Sequence, residues 1–250
     1  MTWYHYVLII GAGILAGFIN TLAGSGSLLT LPLLMFIGLP PVVANGTNRI
    51  SIMLQSLVGS LGFKKQGALD MKTGVRLGIP SILGSILGAL IALVIDSKMM
   101  ERAVGVLLIL MFFIILFKPE VWLKERTGAL PAGSPVNFIV FFLIGVYGGF
   151  VQAGVGFFLL GGLVLGAGLD LVKANAIKNL LVFLYTPFAL AVFMIGQQVD
   201  YKAGLILSLG SMTGAWLGSK SAVSWGPAFI RYVLLAAVLV SAVQLIFFNR

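Results

Sequence analysis

The chain has 250 residues, of which 60% are hydrophobic and only 9% charged, with a mean hydropathy of +1.11. A soluble domain of this size is about a quarter charged, so composition excludes an ordinary soluble protein. A net charge of +9 would suggest nucleic acid in a soluble chain, but most Lys and Arg here fall in short loops, where they set membrane topology.

The apolar segments run at about 7–22, 27–38, 42–63, 74–95 and 98–117, and again at about 136–151, 155–169, 171–195, 203–223 and 228–248. Lipid-exposed backbone must satisfy its own hydrogen bonds, so the expected fold is an all-α polytopic membrane protein with about 8–10 hydrophobic segments. Residues 1–6 carry no Lys or Arg, so the first run is expected to stay as a helix and not to be cleaved as a signal peptide. The only long polar segment, 118–135, holds Lys118, Glu120, Lys124, Glu125 and Arg126. It divides the chain into a first transmembrane repeat (1–117), a linker (118–135) and a second repeat (136–250).

The halves align without a gap from residue 23 to residue 88 at an offset of 130, with about 20 identities in 66 positions. Asp70, Lys72 and Gly74 recur as Asp200, Lys202 and Gly204. Greasy composition does not produce that match. The segments 27–38 and 155–169 are short for a crossing, which needs about 20 residues. If each pairs with its predecessor as a re-entrant hairpin, or if all five segments cross, the count per repeat is odd and the repeats are inverted. Fusing the first two segments into one broken span gives parallel repeats instead. An inverted chain with an outside N-terminus puts Lys64, Lys65, Lys72, Arg76, Lys118, Lys124, Arg126, Lys173, Lys178, Lys220 and Arg231 inside. It leaves only Arg49, Lys98, Arg102, Lys202 and Arg250 outside, which favours inversion.

Two pairs of motifs carry the functional signal. "AGSGSLL" (Ala23–Leu29) and "AGVGFFL" (Ala153–Leu159) place Gly24, Ser25 and Gly26, and then Gly154 and Gly156, between apolar segments. Gly costs about 0.5–1 kcal/mol relative to Ala inside a helix, so paired Gly marks a break as well as it marks close packing. A break at membrane depth is tolerated where it lines a cavity, and its free N–H groups then face that cavity. "ANGTNRI" (Ala44–Ile50) and "ANAIKNL" (Ala174–Leu180) follow. Asn45 is expected to cap the next helix, with Thr47, Asn48 and Arg49 in or near its first turn. Asn175, Lys178 and Asn179 repeat the pattern with cation and amide in swapped order. These residues read either as snorkelling cations with capping amides or as donors for an anion. Asn20, Gln55, Gln152 and Tyr185 are near enough in sequence to contribute.

The acids Asp70, Asp96, Glu101, Glu120, Glu125, Asp170 and Asp200 all fall at segment ends or in loops. No proton relay or intramembrane cation site is therefore visible. The only His is His5, there is no Cys, and no catalytic or metal-ligand constellation is found. The expectation is no enzyme, no metal and no cofactor. "GSILGALIA" (Gly84–Ala92) and "GAWLGSKSA" (Gly214–Ala222) are small-residue packing stripes.

At "GFINTLAGSGSLLTLPLL", "ANGTNR" and "FKKQGALDMKTG", and again at "AGVGFFLLGGLV", "KANAIKNL" and "FMIGQQVDYKAG", the chain resembles the TauE/SafE group of sulfite and organosulfonate exporters. The resemblance covers nearly the whole chain. It implies transport of small sulfur-containing anions across a bacterial plasma (inner) membrane by a multi-pass protein. The partners expected are a small anionic substrate and the lipid bilayer, with no nucleic acid; a homodimer stays open. An alternating-access carrier is the first reading, and an anion channel or a carrier of another oxyanion or carboxylate is the alternative.

Overall fold

The computed structural model describes residues 3–96, 99, 131 and 133–248. The expectations for segment 98–117, for most of linker 118–135, and for Lys98, Glu101, Arg102, Lys118, Glu120, Lys124, Glu125, Arg126 and Arg250 lie outside these residues, as do the side chains of His5 and Arg231. The described residues form helices and no strands: α1 (Trp3–Ala23), α2 (Ser27–Phe36), α3 (Pro41–Lys65), α4 (Met71–Val94), α5 (Pro135–Phe150), α6 (Val155–Gly161), α7 (Leu171–Ile195) and α8 (Tyr201–Phe248). A π-helical turn, Gly162–Gly166, extends α6. The spans Tyr6–Ala23, Met71–Val94 and Leu171–Ile195 are long and apolar enough to cross a membrane. The protein is an all-α membrane protein.

The acids at segment ends are helix caps. Asp70 accepts from the N–H of Lys72 and Thr73 at 3.0 and 3.1 Å, and Asp170 accepts from Val172 and Lys173 at 3.0 and 2.9 Å. Each satisfies donors that the first turn of a helix leaves free. The expected cap at Asn45 is not made. Pro40 is the N-cap and Pro41 the first helical residue, because a proline at that position forfeits no hydrogen bond and its φ is already helical. Asn45, Asn48 and Arg49 consequently lie in the second and third turns. A second correction concerns 203–223 and 228–248, expected as separate segments. They run as one helix of 48 residues, about 72 Å at 1.5 Å per residue. Pro227 lies between them and, having no N–H, forfeits one hydrogen bond of the helix.

Left-handed backbone recurs at the repeat spacing. Gly24, Gly38 and Gly67 have φ of 75°, 99° and 72°, while Gly154, Gly168 and Gln197 have 72°, 66° and 56°. Each pair is 130 residues apart. At Gly24 the chain reverses, so α2 returns along α1 and Leu34 shares a buried cluster with Ile9.

Two seams of small residues join the halves. Gly210 and Gly214 of α8 sit against the carbonyls of Ile10 and Ile14 in α1, and Gly84 and Gly88 of α4 sit against those of Phe142 and Val146 in α5. In both seams the numbers rise together, so the paired helices are parallel. A Cβ at any of these glycines would collide with backbone, which is how small residues let membrane helices approach. By contrast α3 and α7 run antiparallel: Gly46 meets Phe193 and Gln198, while Gly59 meets Asn179.

Candidate functional site: crossed cations and unpaired donors

Neither cation snorkels. Arg49 is 0% exposed and Lys178 is 1% exposed. Each reaches across to the other half and binds the end of its first helix. Arg49 Nη1 donates to the Gly148 carbonyl at 3.0 Å, and Nη2 donates to Gly149 at 2.6 Å, in the last turn of α5. Lys178 Nζ donates to the Asn20 and Thr21 carbonyls at 2.9 and 2.8 Å, in the last turn of α1. These carbonyls stand at the helix ends, where the dipole is negative; only that of Asn20 also accepts a backbone bond, from the Gly24 N–H at 2.8 Å. A buried cation is the complement that such an end lacks.

The two contacts are counterparts. Gly148 and Gly149 stand 128 residues after Asn20 and Thr21, and Asn179, which aligns with Arg49, also donates to the Thr21 carbonyl, at 3.2 Å. Amides hold the cations in place: Lys178 Nζ donates to Asn175 Oδ1 at 2.7 Å, and Arg49 lies 3.5 Å from both Asn45 Oδ1 and Gln152 Oε1. The Arg49 guanidinium also stands over the Phe193 ring, 4.7 Å from its centre, a favourable cation–π arrangement.

The structure brings most of the sequence candidates together, in two groups. Around Arg49 are Asn45, whose Nδ2 donates to the Phe150 carbonyl at 2.7 Å, and Gln152, whose Nε2 donates to Tyr185 at 2.8 Å. Asn48 accepts from the Thr30 hydroxyl at 2.8 Å. Around Lys178 are Asn175, Asn179 and Asn20, whose side chain accepts from the Gly26 N–H at 3.3 Å. Between the groups the breaks meet: the Gly156 N–H donates to the Gly24 carbonyl at 3.2 Å. Ser25, Gly26 and Gly154 are buried with them. Gln55 is buried two turns beyond Asn48 on the same face of α3. Thr47 stands apart, since its hydroxyl accepts from the Asp200 N–H at 2.8 Å and ties α3 to the start of α8.

Several buried donors in this region have no acceptor among the described residues: Arg49 Nε, Asn48 Nδ2, Asn175 Nδ2, and the hydroxyls of Thr21 and Ser25. Among the described residues no Asp or Glu is buried. The region is positively charged and has donors to spare.

Sequence reasoning missed Thr21, Thr30, Gly148, Gly149 and Phe193. One signal was available for the glycines, because "YGGF" (Tyr147–Phe150) directly precedes a break. No local signal marks Thr30 or Phe193, whose contacts span 18 and 144 positions of sequence.

Residues 9–245 match the family model described as "Sulfite exporter TauE/SafE". This chain belongs to the TauE/SafE family. It is 31% identical over 240 residues to "Probable membrane transporter protein ORF9" of Sinorhizobium sp, covering 94% of this chain and 90% of that one. It is 31% identical over 224 residues to a "Probable membrane transporter protein" of Haemophilus influenzae, with coverage of 88% and 86%. It is 30% identical over 233 residues to "Probable membrane transporter protein YfcA" of Escherichia coli K12, with coverage of 92% and 84%. No solved structure matches the chain. This TauE/SafE family member is a membrane transporter.

Proposed function

We propose that the protein is a multi-pass secondary transporter of the bacterial plasma membrane that exports a small sulfur-containing oxyanion, sulfite or an organosulfonate, by alternating access. One observation carries the reading: buried donors without acceptors among the described residues, Arg49 Nε with the Asn48 and Asn175 amides, where those residues also bury no carboxylate. An unsatisfied buried donor costs about 1–3 kcal/mol. An oxyanion supplies the missing acceptors and offsets the two buried positive charges. The family model's description supplies the substrate class.

The repeats, 1–117 and 136–250 joined by linker 118–135, are inverted on this reading. Its support is that the equivalent helices α3 and α7 run antiparallel, as an axis in the membrane plane requires. The oxyanion is bound near that axis, between the glycine breaks and the amides, and the halves exchange which of them closes over it. The test is counterflow in proteoliposomes across sulfite, sulfonates, sulfate and carboxylates. Saturable, trans-stimulated flux of the sulfur oxyanions is expected. Flux of carboxylates alone would overturn the substrate class, and single-channel currents would overturn the carrier.

A further inference from the structure

Away from the crossed cations, a groove of about 520 Å³ opens between α4 and α5, lined by Arg76, Ile79, Pro80, Gly133, Ser134 and Phe138. These two helices are parallel, so their N-terminal ends form the same end of the groove. Arg76 is exposed there, and none of the lining residues is acidic. Among the described residues Arg76 makes no ion pair. Its side chain lies over Gly133, where a Cβ would stand 3.6 Å from Cδ. Beside it Ser134 caps α5, whose N-terminus adds a positive partial charge. One turn deeper the lining becomes apolar: Ile79 and Phe138 are 55% and 47% exposed, and the outward face continues along Leu83 and Leu143.

We propose that this groove binds an anionic phospholipid, with its phosphate at Arg76 and Ser134 and its acyl chains along Ile79 and Phe138. Charge and polarity change along the groove in the order in which a lipid presents them. The orientation favoured by the positive charges places Arg76, with Lys64, Lys65 and Lys72, on the inner face. Anionic lipids are enriched in that leaflet, and basic pockets between helices on that side suit their headgroups. A soluble phosphate would use Arg76 but would gain nothing from the apolar extension. The proposal stands apart from the transported substrate and does not depend on it.

The test is lipid binding by the purified full-length protein, titrated with phosphatidylglycerol or phosphatidylcholine of the same acyl chains and followed by native mass spectrometry. Phosphatidylglycerol is expected to bind preferentially. R76Q should weaken it about fivefold, the worth of one basic residue near an anionic headgroup, while R76K should retain it. Arg76 is exposed, so neither variant threatens the fold. Equal binding of the two lipids, or unchanged binding by R76Q, overturns the proposal. So does equally tight binding of glycerol 3-phosphate, which would make this a soluble-phosphate site. A lipid-independent disulfide between cysteines placed at Ile79 and in segment 98–117 would show that the chain covers its own groove, and would also overturn it.

Discussion

Gly24 and Gly156 meet backbone to backbone, with the Gly156 N–H donating to the Gly24 carbonyl. A Cβ on either glycine would collide with the backbone of the other, so the two halves touch at a point where no side chain fits. G24A meets this collision and must also place a Cβ at a φ of 75°. G38A is the control: its φ is 99°, but a Cβ there meets nothing within 4 Å. Left-handed strain alone costs about 1–2 kcal/mol. Thermal unfolding in detergent should therefore find G38A slightly destabilised and G24A far more so. Equal shifts would mean that the contact of the breaks has no energetic weight.

Arg49 and Lys178 give the second prediction. R49Q leaves the Gly148 and Gly149 carbonyls without their cation, and K178Q does the same to Asn20 and Thr21. R49Q should lose about 1–3 kcal/mol of stability, because buried acceptors have lost their donor. K178Q should lose less, since the Gly24 N–H and Asn179 Nδ2 still donate to the Asn20 and Thr21 carbonyls. Both variants should lose anion flux. R49K keeps the charge but not the two-pronged geometry, so it should recover stability only in part. Wild-type flux and melting temperature in R49Q would sink the assignment of both roles.

Topology can be tested without background labelling, since the chain has no Cys. Cysteines at Gln66 and Ile195 mark the C-terminal ends of α3 and α7, and Ile195 is 83% exposed. Because these helices run antiparallel, an impermeant maleimide should reach the two sites from opposite faces of the membrane. Labelling of both from one face would contradict the inverted arrangement.

The Asp70 cap predicts a pH dependence. Donation from the Thr73 hydroxyl and N–H, and from the Lys72 N–H, holds its carboxyl below the ordinary carboxylate range. A lowered folded-state pKa means that the stabilisation is complete above the unfolded value and is lost as pH falls through the folded one. Removing such a cap costs about 1 kcal/mol. D70A should lower the melting temperature at neutral pH, and the gap to wild type should close in acid below about pH 4. A gap that persists there would show that the carboxylate is not the cause.

The buried charges bear on energy coupling. With no carboxylate buried among the described residues, a protonatable relay has no evident carrier, and an anion that moves alone carries net charge. A potential of 100 mV, inside negative, supplies about 2.3 kcal/mol per charge and favours export, enough for a gradient of about 50-fold. A clamped potential should drive net flux in proteoliposomes with equal pH and Na⁺ on both sides. Flux that ignores the potential and follows a pH gradient would refute uncoupled movement.

The sequence disclosed the helical membrane class and the two glycine breaks because both have local causes. Apolar composition sets the class, and residues that tolerate positive φ mark the reversals at Gly24 and Gly154. The acids were recognisable as end markers for the same reason, since a cap acts within three residues. The targets of Arg49 and Lys178 were not legible. Each cation binds carbonyls at least 99 residues away, and a carbonyl is written identically by every residue. The start of α3 was misplaced because Asn45 is a good cap by type, whereas Pro40 and Pro41 fixed the helix start one turn earlier.

The seam between α1 and α8 has a consequence for synthesis. Ile10 and Ile14 lie against Gly210 and Gly214, so a helix made early packs on one made much later. At about 5–20 residues per second, roughly 200 residues separate their arrivals by some 10–40 s. For most of that wait the Asn20 and Thr21 carbonyls also lack Lys178. The nascent chain must hold α1 in the bilayer with its tightest contact unmade, and a chain truncated before α8 would leave that face permanently bare. Such a fragment should be a substrate for membrane quality control.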